Sequence, residues 1–340
     1  MLHRGSPSEA DAAFDAAGTL HAIFLSSTWT SLEHASFDGT SVSEATLATC
    51  SGYCKPSSMV ADATGTLHVC FVHSFTSVLR YARRPVGGPW SVEDVSTGAT
   101  LAGDFCDIEV DGAGDVHVVH RNLDSVLYSR RAAGGAWTTE VVAAAHGSVT
   151  APTGIAVSSG GAVHVAWMDY LGGPSDGHVH YATNAGGAWA EELAVTTSIG
   201  VTAALRGVDL LLDGAGTLHM AYAIGRWGGL HYGARSGGTW TFTSIHADGT
   251  YPALAAHGAL LVIGFSTSTG VAADARPYVA TSAGGAWTTE RLFDDGFSLD
   301  EVTPVFDASG ALHVVYTGAP DGFDSTVAAA YRVARDCSAP

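Results

Sequence analysis

Three successive apolar segments of the chain end in polar side chains suited to acid–base chemistry. His73, Asn122 and Asp169 each lie five residues after another histidine, and His120 lies three residues after one. Because alternate side chains of a β-strand point to the same side, these offsets place the four groups on one side of their strands. We therefore expect them to converge on one sector of a surface and to form a candidate site.

The residue types in this sector suit a proton-transfer reaction. His120 and His73 are the candidate bases, since a histidine titrates near neutral pH. Tyr170 is the candidate acid for a leaving oxygen, and Arg121 or Arg226 would neutralise a substrate carboxylate. Together these roles match β-elimination on a uronate. No spacing motif indicates a metal site or a cofactor, so we predict neither.

Aromatic residues in the same loops offer flat faces for sugar rings. Trp29 and Trp227 are the main candidates, and Asn122, Asp169 and Arg226 are suited to hydrogen-bond sugar hydroxyls. These loops differ from one another, whereas a simple lectin would repeat its site. The sequence therefore predicts one asymmetric site that binds a glycan or another small molecule.

Two repeated patterns indicate the elements that must position these loops. Asp-x-x-Gly-x-Leu/Val-His occurs around His21, His68, His117, His164, His219 and His313, with Ser158 replacing the aspartate before His164 and a degraded copy near residues 257–262. Gly-Gly-x-Trp occurs at Trp90, Trp137, Trp189, Trp240 and Trp287. A complete unit contains four short runs rich in β-branched and aromatic residues, separated by glycine-containing turns.

Seven such units predict an all-β fold: a single seven-bladed β-propeller spanning residues 1–340, with four-stranded antiparallel blades. A tandem array of β-sandwiches would need longer units. The last unit lacks a fourth strand-like run. We expect N-terminal residues, near residues 2–6, to supply that strand and close the ring.

With these repeats, the chain resembles the secreted bacterial β-propellers built from sialidase-type repeats, the BNR or Asp-box-like kind. The usual Asp box reads Ser-x-Asp-x-Gly-x-x-Trp between outer strands. Here Asp-x-x-Gly lies between the first two strands, and the tryptophan follows a separate Gly-Gly turn. The resemblance implies a secreted, glycan-related protein, because propellers of this general type include lectins and polysaccharide lyases that use histidine, tyrosine and arginine.

The histidines divide into two predicted classes. The repeated ones occupy one strand position in six units, and we interpret them as buried residues that hydrogen-bond a neighbouring strand. Repeated aromatic residues such as Phe24, Trp167 and Tyr222 are predicted in the core between blades. In contrast, His73 and His120 are expected at loop-facing strand ends, where truncation to alanine changes stability by less than about 1 kcal/mol.

Composition limits the possible partners and location. The net charge is −18 over 340 residues, which argues against nucleic acid and favours a cationic protein partner. No segment is apolar enough for a membrane span. The first residues lack the apolar core of a signal peptide, so the chain is either cytosolic or begins after a removed leader.

The cysteines favour an extracellular or periplasmic location. Cys50, Cys54, Cys106 and Cys337 are candidates for one or two disulfides, with the pairing left open. Cys70 lies inside an apolar run, and we interpret it as a core residue.

Three functions remain open from the sequence. The first is a carbohydrate-recognising propeller with one site on its loop face. The second is an enzyme, a polysaccharide lyase acting on a uronate. The third is a protein-binding scaffold whose acidic surface favours cationic partners. Fold class alone does not decide among them.

Overall fold

The structure is a computed structural model. It describes residues 10–26, 28–50, 52–73, 78–95, 105–122, 125–144, 153–170, 176–198, 205–224, 229–267, 276–292, 298–319 and 327–333. Within these ranges the chain forms short β-strands joined by turns, as the repeats predict. No helix in this part of the chain is long and apolar enough to cross a membrane.

The first three blades are four-stranded antiparallel sheets in chain order. Blade 1 contains β1 (Ala10–Phe14), β2 (Leu20–Leu25), β3 (Ser31–Phe37) and β4 (Val42–Thr49). Blade 2 contains β5 (Cys54–Ala61), β6 (Leu67–His73), β7 (Val78–Arg84) and β8 (Ser91–Asp94). Blade 3 contains β9 (Cys106–Val110), β10 (Val116–Arg121), β11 (Ser125–Arg131) and β12 (Trp137–Ala144).

Three further four-stranded blades and one three-stranded sheet follow. Blade 4 contains β13 (Gly154–Val157), β14 (Val163–Tyr170), β15 (Asp176–Thr183) and β16 (Ala190–Ser198). Blade 5 contains β17 (Leu205–Leu212), β18 (Leu218–Ile224), β19 (Leu230–Ser236) and β20 (Thr239–His246). Blade 6 contains β21 (Gly249–His257), β22 (Leu260–Thr267), β23 (Arg276–Ala283) and β24 (Thr288–Arg291). The last sheet contains β25 (Ser298–Phe306), β26 (Leu312–Ala319) and β27 (Val327–Val333).

The first strand of each sheet contacts the first strand of the next, and β25 contacts β1. At that junction the Thr303 hydroxyl donates a hydrogen bond to the Ala10 carbonyl oxygen at 3.1 Å. A β-propeller of four-stranded antiparallel blades is therefore confirmed. The prediction of seven four-stranded blades is corrected: the structure has six, because the last sheet has only three described strands. The expected closing strand near residues 2–6 lies outside the described residues.

The aspartate of the first repeated pattern shapes the hairpin turn at one end of the blade. In blade 2, Asp62 Oδ1 accepts hydrogen bonds from the backbone N–H groups of Thr64 and Thr66, each at 2.9 Å. Gly65 follows with a φ of 81°, a left-handed conformation that glycine adopts without a Cβ clash. The pattern is thus a capped tight turn, as a turn-forming aspartate predicts.

The repeated histidine joins this turn to the third strand of its blade. His68 Nε2 lies 3.2 Å from Asp62 Oδ2, and its Nδ1 lies 2.6 Å from the Tyr81 hydroxyl. Because the carboxylate only accepts, Nε2–H donates to it and Nδ1 accepts from the tyrosine. Burial lowers the pKa of His68, which favours the neutral ring. The same histidine–tyrosine contact recurs at 2.6 Å in blades 3, 4 and 5, confirming a structural role.

The tyrosine of one blade packs against the repeated tryptophan of the next. Tyr81 meets Trp137 with ring centroids 5.3 Å apart and planes at 71°. Trp137 Nε1–H also donates to Glu93 of blade 2 at 2.8 Å. Edge-to-face contacts also join blades 3 and 4, and blades 4 and 5. Each tryptophan is therefore an interblade residue that contacts the sheet before its own.

The core lies between the blades, as predicted from the repeated aromatic residues. Phe24, Trp167 and Tyr222 are buried, each in a cluster with residues of the preceding sheet. A disulfide between Cys70 and Cys106 joins blades 2 and 3. Cys70 is buried, as predicted for a core residue. Its exclusion from the disulfides is wrong, because its strand faces the first strand of blade 3.

A second disulfide, between Cys50 and Cys54, closes the connection from blade 1 to blade 2. It is one of the pairings left open by the sequence. Cys337 lies outside the described residues.

Three aspartates of first strands, in blades 1, 3 and 5, each link their blade to the next one near the axis of the ring. Asp11, Asp107 and Asp209 accept hydrogen bonds from backbone N–H groups of the next blade, with Met59 at 2.7 Å, Ile155 at 2.9 Å and Leu254 at 2.7 Å. Burial raises the pKa of all three, to about 6 for Asp11. Glu109 lies two residues after Asp107, on the same side of β9, and burial and the Asp107 charge raise its pKa to about 8.

We expect Glu109→Gln to stabilise the protein increasingly as pH rises. Folded Glu109 keeps a proton that the unfolded chain releases near its ordinary pKa of 4.5. Wild type therefore loses stability between pH 4.5 and about 8, whereas glutamine does not titrate. Thermal melts should show the variant gaining about 1 kcal/mol or more over wild type across this range. Parallel profiles for the two proteins would show that folded Glu109 has an ordinary pKa and would contradict this prediction.

We expect His219→Ala to lower the free energy of unfolding by about 1–3 kcal/mol. The substitution leaves the Tyr232 hydroxyl and Asp213 Oδ2 without the ring that joins them. Chemical denaturation measures the change. Thr241→Ala, on the exposed outer strand of the same blade, is the control and should change stability by less than about 0.5 kcal/mol. An equal effect of both substitutions would contradict the structural role of the repeated histidine.

Candidate functional site

The two predicted classes of histidine do not differ in burial. His73 and His120 are as buried as the repeated His68 and His117. These side chains do share one side of their strands, but that side faces the neighbouring blade and not the solvent. The expectation that His73 and His120 are exposed strand-end residues is therefore corrected.

His120 lies within blade 3 and is 1% exposed. Its Nε2 lies 2.9 Å from the Ser129 hydroxyl, which in turn lies 2.8 Å from the Thr139 hydroxyl. Nδ1 is buried and has no hydrogen-bond partner among the described residues. Burial lowers the pKa of His120 to about 4, so the ring is neutral at pH 7. The neutral ring can accept a proton, as a base must, but it has no exposure to solvent.

Trp29 forms an exposed aromatic pair at the loop end of blades 1 and 2. It is 46% exposed, and its ring lies edge-on to that of exposed Tyr53, with centroids 6.4 Å apart. Its backbone has a φ of 61°, a left-handed conformation that costs a bulky residue energy and is concentrated at functional sites. The Trp29 carbonyl accepts a hydrogen bond from Cys54 N–H at 2.8 Å. Cys54 pairs with His73 across β5 and β6.

The remaining predicted residues are distributed around the loop end. Arg121 is partly buried, with its guanidinium carbon 5.8 Å from the centroid of the Phe105 ring. Asn122 follows it, and its backbone N–H donates to the Ser125 carbonyl. Tyr170 ends β14, where its backbone pairs with Gly177. Arg226 and Trp227 lie outside the described residues.

Asp169 belongs to a chain of charged groups within blade 4. It is 0% exposed, and its Oδ1 lies 3.1 Å from His180 Nε2. His180 Nδ1 lies 2.9 Å from Glu191 Oε1, whose side chain is 30% exposed. Burial opposes protonation of His180, but the two carboxylates outweigh it and raise its pKa above the ordinary value. The imidazolium donates to both carboxylates and links the buried Asp169 to the surface.

Three buried polar atoms of blade 4 have no hydrogen-bond partner among the described residues: Trp167 Nε1, Asp169 Oδ2 and His178 Nδ1. The ring of Trp167 stacks on His180 with centroids 5.1 Å apart and planes at 11°. His178 pairs with Asp169 across β14 and β15. Buried polar groups are normally satisfied, so their grouping on two paired strands marks this end of blade 4 as unusual.

The same positions in blade 5 lack the charged chain. His231 stacks on Tyr222 as His180 stacks on Trp167. The residue that corresponds to Asp169, two positions after the stacked aromatic residue, is the apolar Ile224. The arrangement of blade 4 is therefore not a general feature of the repeat.

Sequence reasoning identified Asp169 but missed His178, His180 and Glu191. The available signal was the alternation His178-Val-His180 on the strand that pairs with Asp169. The described residues contain no group of three or more histidine, cysteine, aspartate or glutamate side chains suited to hold a metal ion. We assign no residue to a metal or cofactor.

Comparisons with known proteins agree on the fold. No family model and no curated protein matches the chain. The polysaccharide lyase Uly1 is similar, with a TM-score of 0.59 and 11% identity over 96% of this chain and 89% of that one. A protein of unknown function from Dyadobacter fermentans DSM 18053 has a TM-score of 0.58 and 10% identity over 98% and 95%. The Hadza microbial sialidase Hz136 has a TM-score of 0.53 and 12% identity over 97% and 66%. The chain thus has the propeller fold found in a sialidase and a polysaccharide lyase.

We expect His180 to titrate above its ordinary pKa of 6.5, and Asp169→Asn to lower that value. The amide accepts a hydrogen bond but removes one of the two charges that stabilise the imidazolium. Imidazole NMR signals followed against pH measure the shift, with His120 as an internal control that stays neutral over the same range. An unchanged His180 titration in the variant would contradict the proposed pairing.

We expect His120→Ala to destabilise the protein by more than about 1 kcal/mol, because the ring is fully buried and bonded to Ser129. Val141→Ala, on the exposed outer strand of the same blade, is the control and should change stability by less than about 0.5 kcal/mol. Thermal or chemical unfolding measures both. If His120→Ala melts like wild type, the result would contradict the buried position and would support the exposed one predicted from the sequence.

Proposed function

We propose that this protein is an extracellular, carbohydrate-recognising β-propeller with one asymmetric site on its loop face. The Trp29–Tyr53 pair is the observation that carries the proposal. Both side chains are exposed, and Trp29 has a strained, left-handed backbone conformation. Sugar rings present flat apolar faces of C–H groups, and an exposed aromatic face is the complementary surface. The pair occurs at one place in the described structure, which matches a single asymmetric site.

The local backbone holds this pair in position. Cys50 and Cys54 are joined by a disulfide on either side of Tyr53, and the Cys54 N–H group bonds to the Trp29 carbonyl. The Cys50 N–H group also donates to the Thr30 carbonyl at 2.8 Å. A platform ordered before the ligand arrives loses less conformational entropy on binding. The two disulfides also support an oxidising, extracellular or periplasmic location.

Polar groups for the same ligand come from the predicted set at the loop end. Arg121 ends β10 and Asn122 follows it, and Asp169 and Tyr170 end β14. Arg226 and Trp227 belong to the proposed site by their place in the repeat.

We further propose that the three-stranded last sheet is the seventh blade of a sialidase-type ring, completed by residues near 2–6.

A second candidate is a uronate lyase, and the chain Asp169–His180–Glu191 favours it. His180 bonds through both nitrogens and has a raised pKa, so it can supply a proton but cannot act as a free base. In this version Tyr170 or His180 supplies the proton to the leaving oxygen, and Arg121 neutralises the carboxylate. His73 and His120, the predicted bases, are buried, so neither contacts a substrate without a rearrangement of its strand end.

A glycan array probed with labelled protein tests the proposal. We expect wild type to bind a restricted set of glycans and Trp29→Ala to lose at least about tenfold in affinity, because the stacking face is removed. Phe242→Ala, at another exposed aromatic residue on the outer strand of blade 5, is the matched control and should bind as wild type. No binding to any glycan, or equal effects of the two variants, would contradict the proposal.

Ultraviolet absorbance of an unsaturated uronate product separates the two candidates. If wild type forms the unsaturated uronate and Asp169→Asn does not, the result supports the lyase. If wild type binds a glycan without forming this product, the result supports carbohydrate recognition without catalysis.

A further inference from the structure

An arginine fills the outer groove between blades 2 and 3. Arg131, on blade 3, places its guanidinium carbon 5.7 Å from the centroid of the Tyr81 ring on blade 2. Its Nη1 lies 3.0 Å from Glu93 Oε1, and Glu93 also accepts the Trp137 N–H. Tyrosine, tryptophan, glutamate and arginine thus form a group of four residues, which we call the groove quartet.

The groove between blades 4 and 5 contains the same quartet. The guanidinium carbon of Arg235 lies 4.8 Å from the centroid of the Tyr181 ring. Its Nη2 lies 3.0 Å from Glu192 Oε2, and Trp240 Nε1 donates to Glu192 at 2.9 Å. In both grooves the arginine lies three residues after the tyrosine of its own blade, a fixed place in the repeat.

The groove between blades 3 and 4 retains three members of the quartet and lacks the arginine. Tyr128 meets Trp189 at 5.5 Å, and Trp189 Nε1 donates to Glu140 at 3.0 Å. The place three residues after Tyr181 is occupied by Asn184. Its side-chain oxygen accepts the Val163 N–H at 2.8 Å, so the asparagine is held against its own blade.

A larger cavity accompanies this substitution. The groove between blades 3 and 4 has a cavity of about 480 Å³, against about 270 Å³ in the groove that Arg235 lines. Its lining includes Asp111, His117, Tyr128, Glu140, Gly161 and Asn184. The larger volume lies within the range of small-ligand sites.

The charge of this cavity is negative. Asp111 and Glu140 contribute carboxylates, and Arg130, which also lines it, is paired with Asp115. Burial lowers the pKa of His117, so the ring adds no positive charge at neutral pH. An incoming cation therefore meets a carboxylate and an aromatic ring, the two groups that hold arginine in the flanking grooves.

We propose that the groove between blades 3 and 4 binds a guanidinium group, the arginine side chain of a partner polypeptide, in the position that Arg131 and Arg235 occupy in the adjacent grooves. The planar guanidinium pairs with a carboxylate and stacks on an aromatic ring, whereas a lysine ammonium reproduces neither geometry. The groove lies at the turn end of blade 4, near Gly161, and Asp169 lies at the opposite end of β14. This site is therefore distinct from the proposed glycan site.

Calorimetric titration with the blocked tripeptides acetyl-Gly-Arg-Gly-amide and acetyl-Gly-Lys-Gly-amide tests the proposal. We expect the arginine peptide to bind more tightly than the lysine peptide, and Glu140→Gln to weaken it by at least about tenfold. Asn184→Arg should abolish binding, because the new side chain completes the quartet from within. Glu192→Gln, in the filled groove between blades 4 and 5, is the matched control and should bind as wild type.

Thermal melts establish that each variant is folded. If Asn184→Arg does not fold, Glu140→Gln alone still tests the proposal. Equal affinity for the two peptides overturns the proposal. Binding of the arginine peptide that is unchanged in both Asn184→Arg and Glu140→Gln also overturns it. Binding of a neutral sugar in this groove in place of the peptide has the same consequence.

Discussion

Contact between the tyrosine of one blade and the tryptophan of the next is the interaction on which most of the ring depends. A blade has one apolar face toward each neighbour and cannot bury both alone. The repeated histidine fixes the tyrosine, as His68 fixes Tyr81, and the tyrosine positions the tryptophan, as Tyr81 positions Trp137. A hairpin turn on one blade is thereby coupled through side chains to the outer strand of the next. Near the axis, side-chain carboxylates of first strands also bridge adjacent blades, as when Asp107 of blade 3 accepts the Ile155 N–H of blade 4.

Blade 4 departs from this regular scheme at several points. Ser158 replaces the turn aspartate, and Asn184 replaces the arginine that fills the adjacent grooves. At the opposite end of the blade, Asp169 and His180 introduce buried charge where blade 5 has Ile224 and His231. A repeat can lose such residues only where the neighbouring contacts maintain the fold. The lyase candidate and the guanidinium site both involve this blade, and both rest on departures from the repeat. A position that is identical in every blade would produce a site in every blade and not one asymmetric site.

The repeats allowed the propeller fold, the structural histidines and the aromatic core between blades to be predicted, because residues in equivalent positions face equivalent surroundings. The site was less predictable. Strand parity shows which residues share a side but not what that side faces, so His120 was expected near the surface and is buried. The Cys70–Cys106 disulfide and the Asp107–Ile155 hydrogen bond join blades at positions that do not recur in every unit, so the repeat did not reveal them. His180 belongs to a third strand without a motif, and its significance depends on pairing with β14.

A double-mutant cycle on Tyr181 and Trp240 tests the central claim most directly. The two rings meet across blades 4 and 5 with centroids 5.5 Å apart and planes at 81°. Unfolding free energies of wild type, Tyr181→Leu, Trp240→Leu and the double variant isolate the energy of their interaction. The account predicts a favourable coupling of about 0.5–1.5 kcal/mol. Additive effects of the two substitutions would show that the blades are held together by other contacts and would contradict it.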